Sequence, residues 1–190
     1  MKLPITLSFK LLSLTNHIQI LSSSGNLLGY ARQKMFKLKE DLRILSPQDN
    51  EIYNIQADRI WDFSPTYSIF KSPSAKLGSI SREGLRSLWS ASYQINAPQG
   101  VFEIHEENPW VKFLDSLVGQ LPIIGIFTGY LFHPAYIISH KNTPVARLEK
   151  QPAFWEGRFE LTQIKELDDP TKELLVLGSI VVLIMERSRG

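Results

Sequence analysis

The chain contains no cysteine, which excludes a disulfide framework, a thiolate metal site, a cysteine nucleophile and a palmitoylated thiol. This absence fits a reducing cytoplasm, where we expect the protein to be located. A marked excess of charge is also missing, because 21 Lys and Arg against 19 Asp and Glu give a formal net charge of +2. Attraction to polyanions is weak at that balance, so we expect no nucleic-acid partner.

Long uninterrupted apolar segments are also missing. Residues 121–139 contain two prolines, and the apolar run 174–185 covers roughly 18 Å as a helix, against roughly 30 Å for a bilayer core. The apolar start of the chain is interrupted by Lys10 and followed by no small-residue cleavage site, so it predicts a first strand and not a secretory signal. We therefore predict no transmembrane segment.

What is present is ordinary globular composition. The chain has 190 residues, of which 43% are hydrophobic and 21% charged. That length buries well over half of the surface that the unfolded chain exposes, so a second domain is not needed. The sequence therefore predicts one folded domain over residues 1–190.

Three segments share one strand-turn-strand pattern. They are SGNLLGYARQKMFKLKEDLRIL, SAKLGSISREGLRSLWSASYQI and NTPVARLEKQPAFWEGRFEL. Gly29 follows Leu28 as Gly78 follows Leu77, and Val145-Ala146 takes the same place in the third segment. Apolar residues alternate in each second strand, which is the period of a half-buried β-strand. With shorter runs such as Tyr53 to Phe63, the pattern predicts roughly a dozen strands in a barrel or sandwich.

Two segments are typical of helices. Asn108 and Pro109 form a cap and first turn before an amphipathic stretch that starts at Trp110. The second helix is predicted to start with Asp169 as cap and Pro170 after it, and its apolar residues leave no polar stripe. A helix that is apolar on every side needs apolar surroundings, so we predict that it is buried in the core. Gly178 and Ser179 would then let a strand backbone pass close by.

Several separate blocks of sequence, in order, resemble one family. They are GNLLGYARQKMFKLKE, ADRIWDF, LGSISREGLRSLWSASYQI, EENPWVKFLD, GYLFHPAY, PAFWEGRFEL and MERSRG. Together these blocks are similar to the bacterial LURP-one-related proteins of the Tubby C-terminal-like superfamily. The resemblance implies a mainly β fold, a closed antiparallel barrel of about twelve strands around a buried hydrophobic C-terminal helix. To this the sequence adds the short amphipathic helix.

The superfamily also contains Tubby domains, which bind phosphoinositide head groups, and phospholipid scramblases. This chain has no Pro-rich N-terminal arm, no cysteine to acylate and no Asp-rich calcium loop, so the resemblance does not extend to scramblase activity. No phosphoinositide-binding residue of Tubby domains can be matched to a position here.

Catalytic and metal motifs are absent from the sequence. The four histidines, His17, His105, His133 and His140, lack metal-ligand spacing, and no nucleophile elbow, phosphate loop or dinucleotide fingerprint occurs. We therefore predict no catalytic residue, no metal and no cofactor, and leave a dispersed site at a barrel mouth as the enzyme alternative. The acidic pairs Glu106-Glu107 and Asp168-Asp169 are interpreted as capping charges.

Other features have a structural and a functional interpretation. Trp61, Trp89, Trp110 and Trp155 form either core or a binding platform. Asp58, Arg59 and Asp62 form either an ion pair or a polar site. Gly125 and Gly129 fit helix pairing in a membrane, but the neighbouring prolines favour a bent connection.

Basic residues on the bends and outer faces of the repeats are the main functional candidates. They are Lys34, Lys37, Lys39, Arg43, Arg82 and Arg86. If the repeats bring them to one rim, they predict binding of anionic lipid head groups or of a protein partner at a membrane surface. The rival hypothesis is a solvated face, balanced by Glu40, Asp41 and Glu83, on a structural or interaction domain without lipid contact. The sequence does not predict the oligomeric state.

Overall fold

The computed structural model describes residues 1–10, 17–33, 41–58, 66–71, 74–83, 92–107, 135–153 and 156–187. These residues form twelve strands and one helix. The strands are β1 (Ile5–Lys10), β2 (His17–Ser22), β3 (Leu27–Gln33), β4 (Asp41–Leu45), β5 (Glu51–Ala57), β6 (Thr66–Lys71), β7 (Ala75–Arg82), β8 (Ser92–Ala97), β9 (Gly100–Glu106), β10 (Ala135–His140), β11 (Thr143–Gln151) and β12 (Glu156–Gln163). The helix is α1 (Asp169–Arg187).

The strands follow one another around a closed antiparallel barrel. Each strand pairs with its neighbours in the chain, and β1 closes the circle by pairing with β12, with Ile5 opposite Leu161. Closure leaves no unpaired strand edge. The predicted closed barrel is therefore confirmed, whereas the amphipathic helix predicted from Trp110 lies outside the described residues. The C-terminal bound of the strand predicted over Tyr53 to Phe63 was wrong. Strand β5 ends at Ala57, because Asp58 is a poor strand former.

The alternation read from the sequence matches the inner face of the barrel. Leu42 and Ile44 of β4 are buried, as are Tyr93 and Ile95 of β8. Helix α1 fills the interior that these faces enclose. Its buried apolar side chains are Leu174, Leu175, Val176, Leu177, Ile180, Val181, Val182, Leu183 and Met185. The prediction of a buried core helix is confirmed.

The three repeats share a β-bulge. In the first, Ile20 pairs with Gly29 and Leu21 with Leu27, so Leu28 is the extra residue. Leu77 and Val145 are the extra residues of the corresponding bulges in β7 and β11. The dipeptides that defined the sequence repeat therefore mark the points where a strand gains one residue and bends.

Helix α1 is joined to the barrel wall near both of its ends. Near its start, Lys71 Nζ lies 3.4 Å from Glu173 Oε1. Burial and the hydrogen bond to Glu173 raise the pKa of Tyr53 well above its usual range. Near the other end, the Tyr93 hydroxyl donates to Glu186. These polar contacts fix the depth of an otherwise apolar helix in the barrel.

The close approach predicted at Gly178 involves a side chain and not a backbone. A Cβ at Gly178 would lie 2.4 Å from Cδ1 of Ile95, which points inward from β8. Ser179 is fully buried, and its hydroxyl donates to the carbonyl of Leu175 within the helix at 2.7 Å. The prediction that a strand backbone passes these two residues was wrong, because the inward side chains of β8 keep the backbone at a distance.

The cap of α1 is one residue earlier than predicted. The carbonyl of Asp168 accepts the first helical hydrogen bond, from Lys172 N at 3.0 Å, and its side chain accepts from Thr171 N at 3.1 Å. Asp168 is therefore the N-cap. Pro170 then occupies the second helical position, where its missing N–H costs no hydrogen bond. The hydrogen bond from the Thr171 side chain is the main cause that holds the pKa of Asp168 below its ordinary value, and the Thr171 backbone N–H adds to it.

We expect Asp168→Ala to lower the melting temperature at pH 7. A carboxyl whose pKa is lowered by folding stabilises the fold above its unfolded pKa and loses that contribution as the pH falls through its folded pKa. The difference between wild type and variant should therefore shrink between pH 5 and pH 3, which thermal melts over that range measure. Asp169→Ala is the control, because the Asp169 side chain is 78% exposed and 3.7 Å from Lys172. An equal loss in both variants would contradict the assignment of the cap.

Candidate functional site

The two ends of the barrel differ in their connections. Consecutive strands are antiparallel, so connections alternate between the ends. Short turns join β2 to β3, β4 to β5, β6 to β7, β8 to β9 and β10 to β11, and we call this the turn end. The other connections leave and re-enter the barrel at the opposite end, here called the connection end. They include residues 11–16, 34–40, 84–91, 108–134 and 154–155.

Four of the six predicted head-group residues, Lys34, Lys37, Lys39 and Arg86, lie outside the described residues. Their flanking strands are described. Residues 34–40 join β3 to β4, and residues 84–91 lie between β7 and β8. Both segments therefore leave and re-enter the barrel at the connection end.

Arg43 lies on the outer face of β4 with its charge already balanced. One terminal nitrogen is 3.1 Å from a carboxylate oxygen of Glu51, and the other is 3.4 Å from Asp41. An anionic ligand would have to displace two carboxylates to reach this guanidinium. The balanced face that formed the rival hypothesis is thus present at this position.

Arg82 lies on the inner face of the barrel, whereas the basic residues were predicted on bends and outer faces. It follows the fully buried Ile80 by two residues in β7, and it is directly opposite Tyr93 of β8. Cross-strand partners point to the same face of a sheet, and Tyr93 points inward to Glu186. Because β7 continues to Arg82 without a bend, its period of two places this side chain at the barrel mouth.

A shallow groove of about 280 Å³ runs along the outer wall of β2 and β3. We call it the wall groove, and it is lined by His17, Gln19, Leu27, Tyr30 and Arg32. Cross-strand pairing brings His17 opposite Arg32 and Gln19 opposite Tyr30. Sequence reasoning missed this site, although the alternation of Tyr30 and Arg32 with the small residues Gly29 and Ala31 already indicated that the two side chains share a face.

The wall groove combines an aromatic floor with a cation at one end. The Arg32 guanidinium carbon lies 5.4 Å from the centre of the Tyr30 ring. The His17 ring centre is 6.1 Å from that of Tyr30, at a tilt of 31°. Arg32 and His17 are at the connection end of their strands, whereas Leu27 is near the turn end. The groove thus offers an apolar surface with a positive charge beside the Tyr30 ring.

The described histidines do not form a metal site. His105 and His140 each contact protein groups, Ser92 and the Val101 carbonyl respectively, both at 3.0 Å. Within the described ranges, no group of three His, Asp or Glu side chains has the geometry to hold a metal ion. His133 lies outside those ranges.

Ser92 and His105 resemble part of a catalytic triad, but the hydrogen bond between them has the wrong direction for catalysis. The Ser92 hydroxyl donates to Glu83 Oε2 at 2.8 Å, and His105 Nδ1 lies 3.0 Å from the same hydroxyl. A hydroxyl has one proton, so Nδ1 must donate to Ser92. A serine nucleophile needs a histidine that accepts this proton. This arrangement holds β7, β8 and β9 together and does not activate the serine.

The other acidic residues considered from the sequence lie in different parts of the fold. Glu106 is buried on the inner face, whereas Glu107 is exposed and accepts from Arg147 Nε at 2.9 Å. Asp58 accepts from the Ser68 hydroxyl at 3.1 Å. Arg59 and Asp62 lie outside the described residues, as do Gly125 and Gly129, so the ion pair and the bent connection stay predictions.

The fold defines a class, the closed twelve-stranded antiparallel barrel built around one helix. Comparison with protein-family models, with curated proteins and with solved structures found no match to this chain. Among the helical residues that the structure describes, no stretch has both the length and the hydropathy needed to cross a bilayer.

Proposed function

We propose that the protein is LURP-one-related and acts as a non-enzymatic binding module for anionic lipid head groups at a membrane surface. One observation mainly supports this proposal. The connection with Lys34, Lys37 and Lys39 and the connection with Arg86 both start and finish at the connection end. The barrel around α1 is also the fold that the family resemblance implies.

The charge of these two connections is large enough to matter. Residues 34–40 contain three lysines and one glutamate, and residues 84–91 contain one arginine and no acidic residue. Each basic residue near an anionic membrane contributes about 1 kcal/mol, and the glutamate offsets part of this, so a net charge of +3 contributes on the order of 3 kcal/mol. That corresponds to a change in partitioning on the order of a hundredfold.

The tryptophans also support the connection end as the membrane-binding surface. Trp61, Trp89, Trp110 and Trp155 lie outside the described residues, in four different connections whose flanking strands end and begin at the connection end. The turns at the opposite end contain none. Tryptophan is favoured at membrane interfaces because its ring is apolar and its N–H is a hydrogen-bond donor. Basic and aromatic residues thus both belong to connections between strands that end at the connection end.

Vesicle flotation tests the proposal. We expect wild-type protein to float with vesicles that contain phosphatidylserine at low salt, and not with neutral phosphatidylcholine vesicles. The triple variant Lys37→Glu, Lys39→Glu, Arg86→Glu should lose at least tenfold in binding, because it replaces three attractive charges by repulsive ones. The matched control is Lys2→Glu, Lys141→Glu, Lys165→Glu, which makes the same charge change at three exposed residues of the turn end.

Two results would overturn the proposal. One is wild-type protein that stays with the unbound fraction at low salt. The other is an equal loss in both triple variants, because net charge alone would then explain binding. Either result would favour the alternative, an interaction domain without lipid contact. Circular dichroism of each variant confirms that the barrel is intact.

A further inference from the structure

Ion pairs with carboxylates are described at four arginines. The pair at Arg32 is the longest and weakest of them. The guanidinium lies 3.8 Å from Asp49, and both side chains are about half exposed or more. Arg147 lies 2.9 and 2.8 Å from two carboxylates. Arg43 also has two carboxylate partners, and Arg158 is 3.3 Å from Glu156. An exposed pair at 3.8 Å contributes roughly 0 to 1 kcal/mol, so a better-placed anion can replace Asp49.

The surface beside Arg32 is suited to an apolar group. The Tyr30 ring forms the floor of the wall groove, and Leu27, which is 40% exposed, continues it toward the turn end. Gln19, which is opposite Tyr30, adds an amide. The volume of about 280 Å³ is slightly below the range of sites for drug-sized ligands. The groove therefore fits a fragment about as large as one aromatic amino acid.

We propose that the wall groove binds a carboxylate carried on an aromatic or aliphatic body, with the carboxylate at Arg32 and the body on Tyr30 and Leu27. A planar guanidinium binds a carboxylate through two parallel hydrogen bonds. A monoanion is favoured over a phosphate dianion because Asp49 remains close to Arg32. Two sources share this chemistry, a free amphipathic acid and the C-terminus of a peptide.

The groove is distinct from the proposed membrane-binding end. Although Arg32 is near the connection end of β3, its guanidinium lies over the Tyr30 ring and 3.8 Å from Asp49 of the β4–β5 turn, so its charge is directed toward the turn end. Asp41 and Glu51 next to Arg43, together with Asp49, make the neighbouring wall partly negative. A broad anionic surface would meet all three carboxylates, whereas a single carboxylate at Arg32 meets only Asp49. The proposal therefore does not depend on membrane binding.

Amide chemical shifts of isotope-labelled protein provide the test. We expect N-acetylphenylalanine to shift the Leu27, Tyr30 and Arg32 signals saturably at millimolar concentration. The uncharged N-acetylphenylalanine amide should bind at least tenfold more weakly. Arg32→Gln should cause the same loss. Arg158→Gln is the matched control, because the Arg158 side chain has the same 47% exposure but lies on β12.

The remaining outcomes are decisive as well. A hexapeptide that ends in phenylalanine and binds more tightly than the single amino acid would identify a peptide C-terminus as the source, and equal affinity would identify a free acid. Equal binding of acid and amide, equal loss in both arginine variants, or no saturable shift would overturn the proposal. Weaker vesicle flotation of Arg32→Gln would also overturn it, because the groove would then belong to the membrane-binding surface.

Discussion

We expect Leu183→Asp to yield no soluble folded protein, because Leu183 is 4% exposed and lies on the part of α1 that the barrel encloses. An unpaired carboxylate in apolar surroundings costs several kcal/mol after relaxation, which is comparable to the 5 to 15 kcal/mol that stabilises a typical domain. Most of the inner-face side chains around α1 are aliphatic or aromatic. Soluble yield and a thermal melt followed by circular dichroism measure the outcome.

Two further variants separate burial from the chemistry of aspartate. Ile164→Asp introduces the same side chain where an isoleucine is 50% exposed, and we expect it to melt like wild type. Leu183→Ala removes apolar contacts without adding charge, so it should fold with a loss of about 2 to 5 kcal/mol. A cooperatively melting Leu183→Asp protein would mean that α1 is not enclosed by the barrel.

Much of the barrel could be predicted because its signals are local. Alternation in β4, β8 and β12 identifies the inward side chains, and the apolar composition of residues 174–185 requires surroundings that a sheet can supply. Closure could not be predicted from periodicity. It depends on β1 meeting β12, a pairing between the two ends of the sheet that leaves no mark on either strand alone. Only the family resemblance implied it.

The candidate site was also difficult to predict from the sequence, because it depends on contacts between residues of different strands. The wall groove depends on His17 meeting Arg32 across two strands, and this register is set partly by the bulge at Leu28. Arg82 was predicted on a bend or an outer face, and this was wrong. Its inward direction follows only when β7 is known to continue from Ile80 to Arg82.

The repeat glycines have a packing role that the sequence indicated without explaining. A Cβ at Gly78 would lie 2.4 Å from the backbone oxygen of Asn96 and 3.1 Å from a methyl carbon of Leu174. A Cβ at Gly29 would similarly lie 2.5 Å from the backbone oxygen of Leu45. In both repeats the glycine therefore allows the next strand to approach directly beside a bulge.

Gly78→Val should consequently destabilise the barrel by about 3 kcal/mol or more, since the added group meets β8 backbone on one side and α1 on the other. For a chain of this length that lowers the melting temperature by roughly 6 to 12 °C. Gly25→Asn is the control, because Gly25 has a φ of +80° that asparagine tolerates and no atom lies within 4 Å of its Cβ position. A Gly78→Val protein as stable as Gly25→Asn would show that β7 and β8 are not so closely packed, and the shared role of the repeat glycines would be lost.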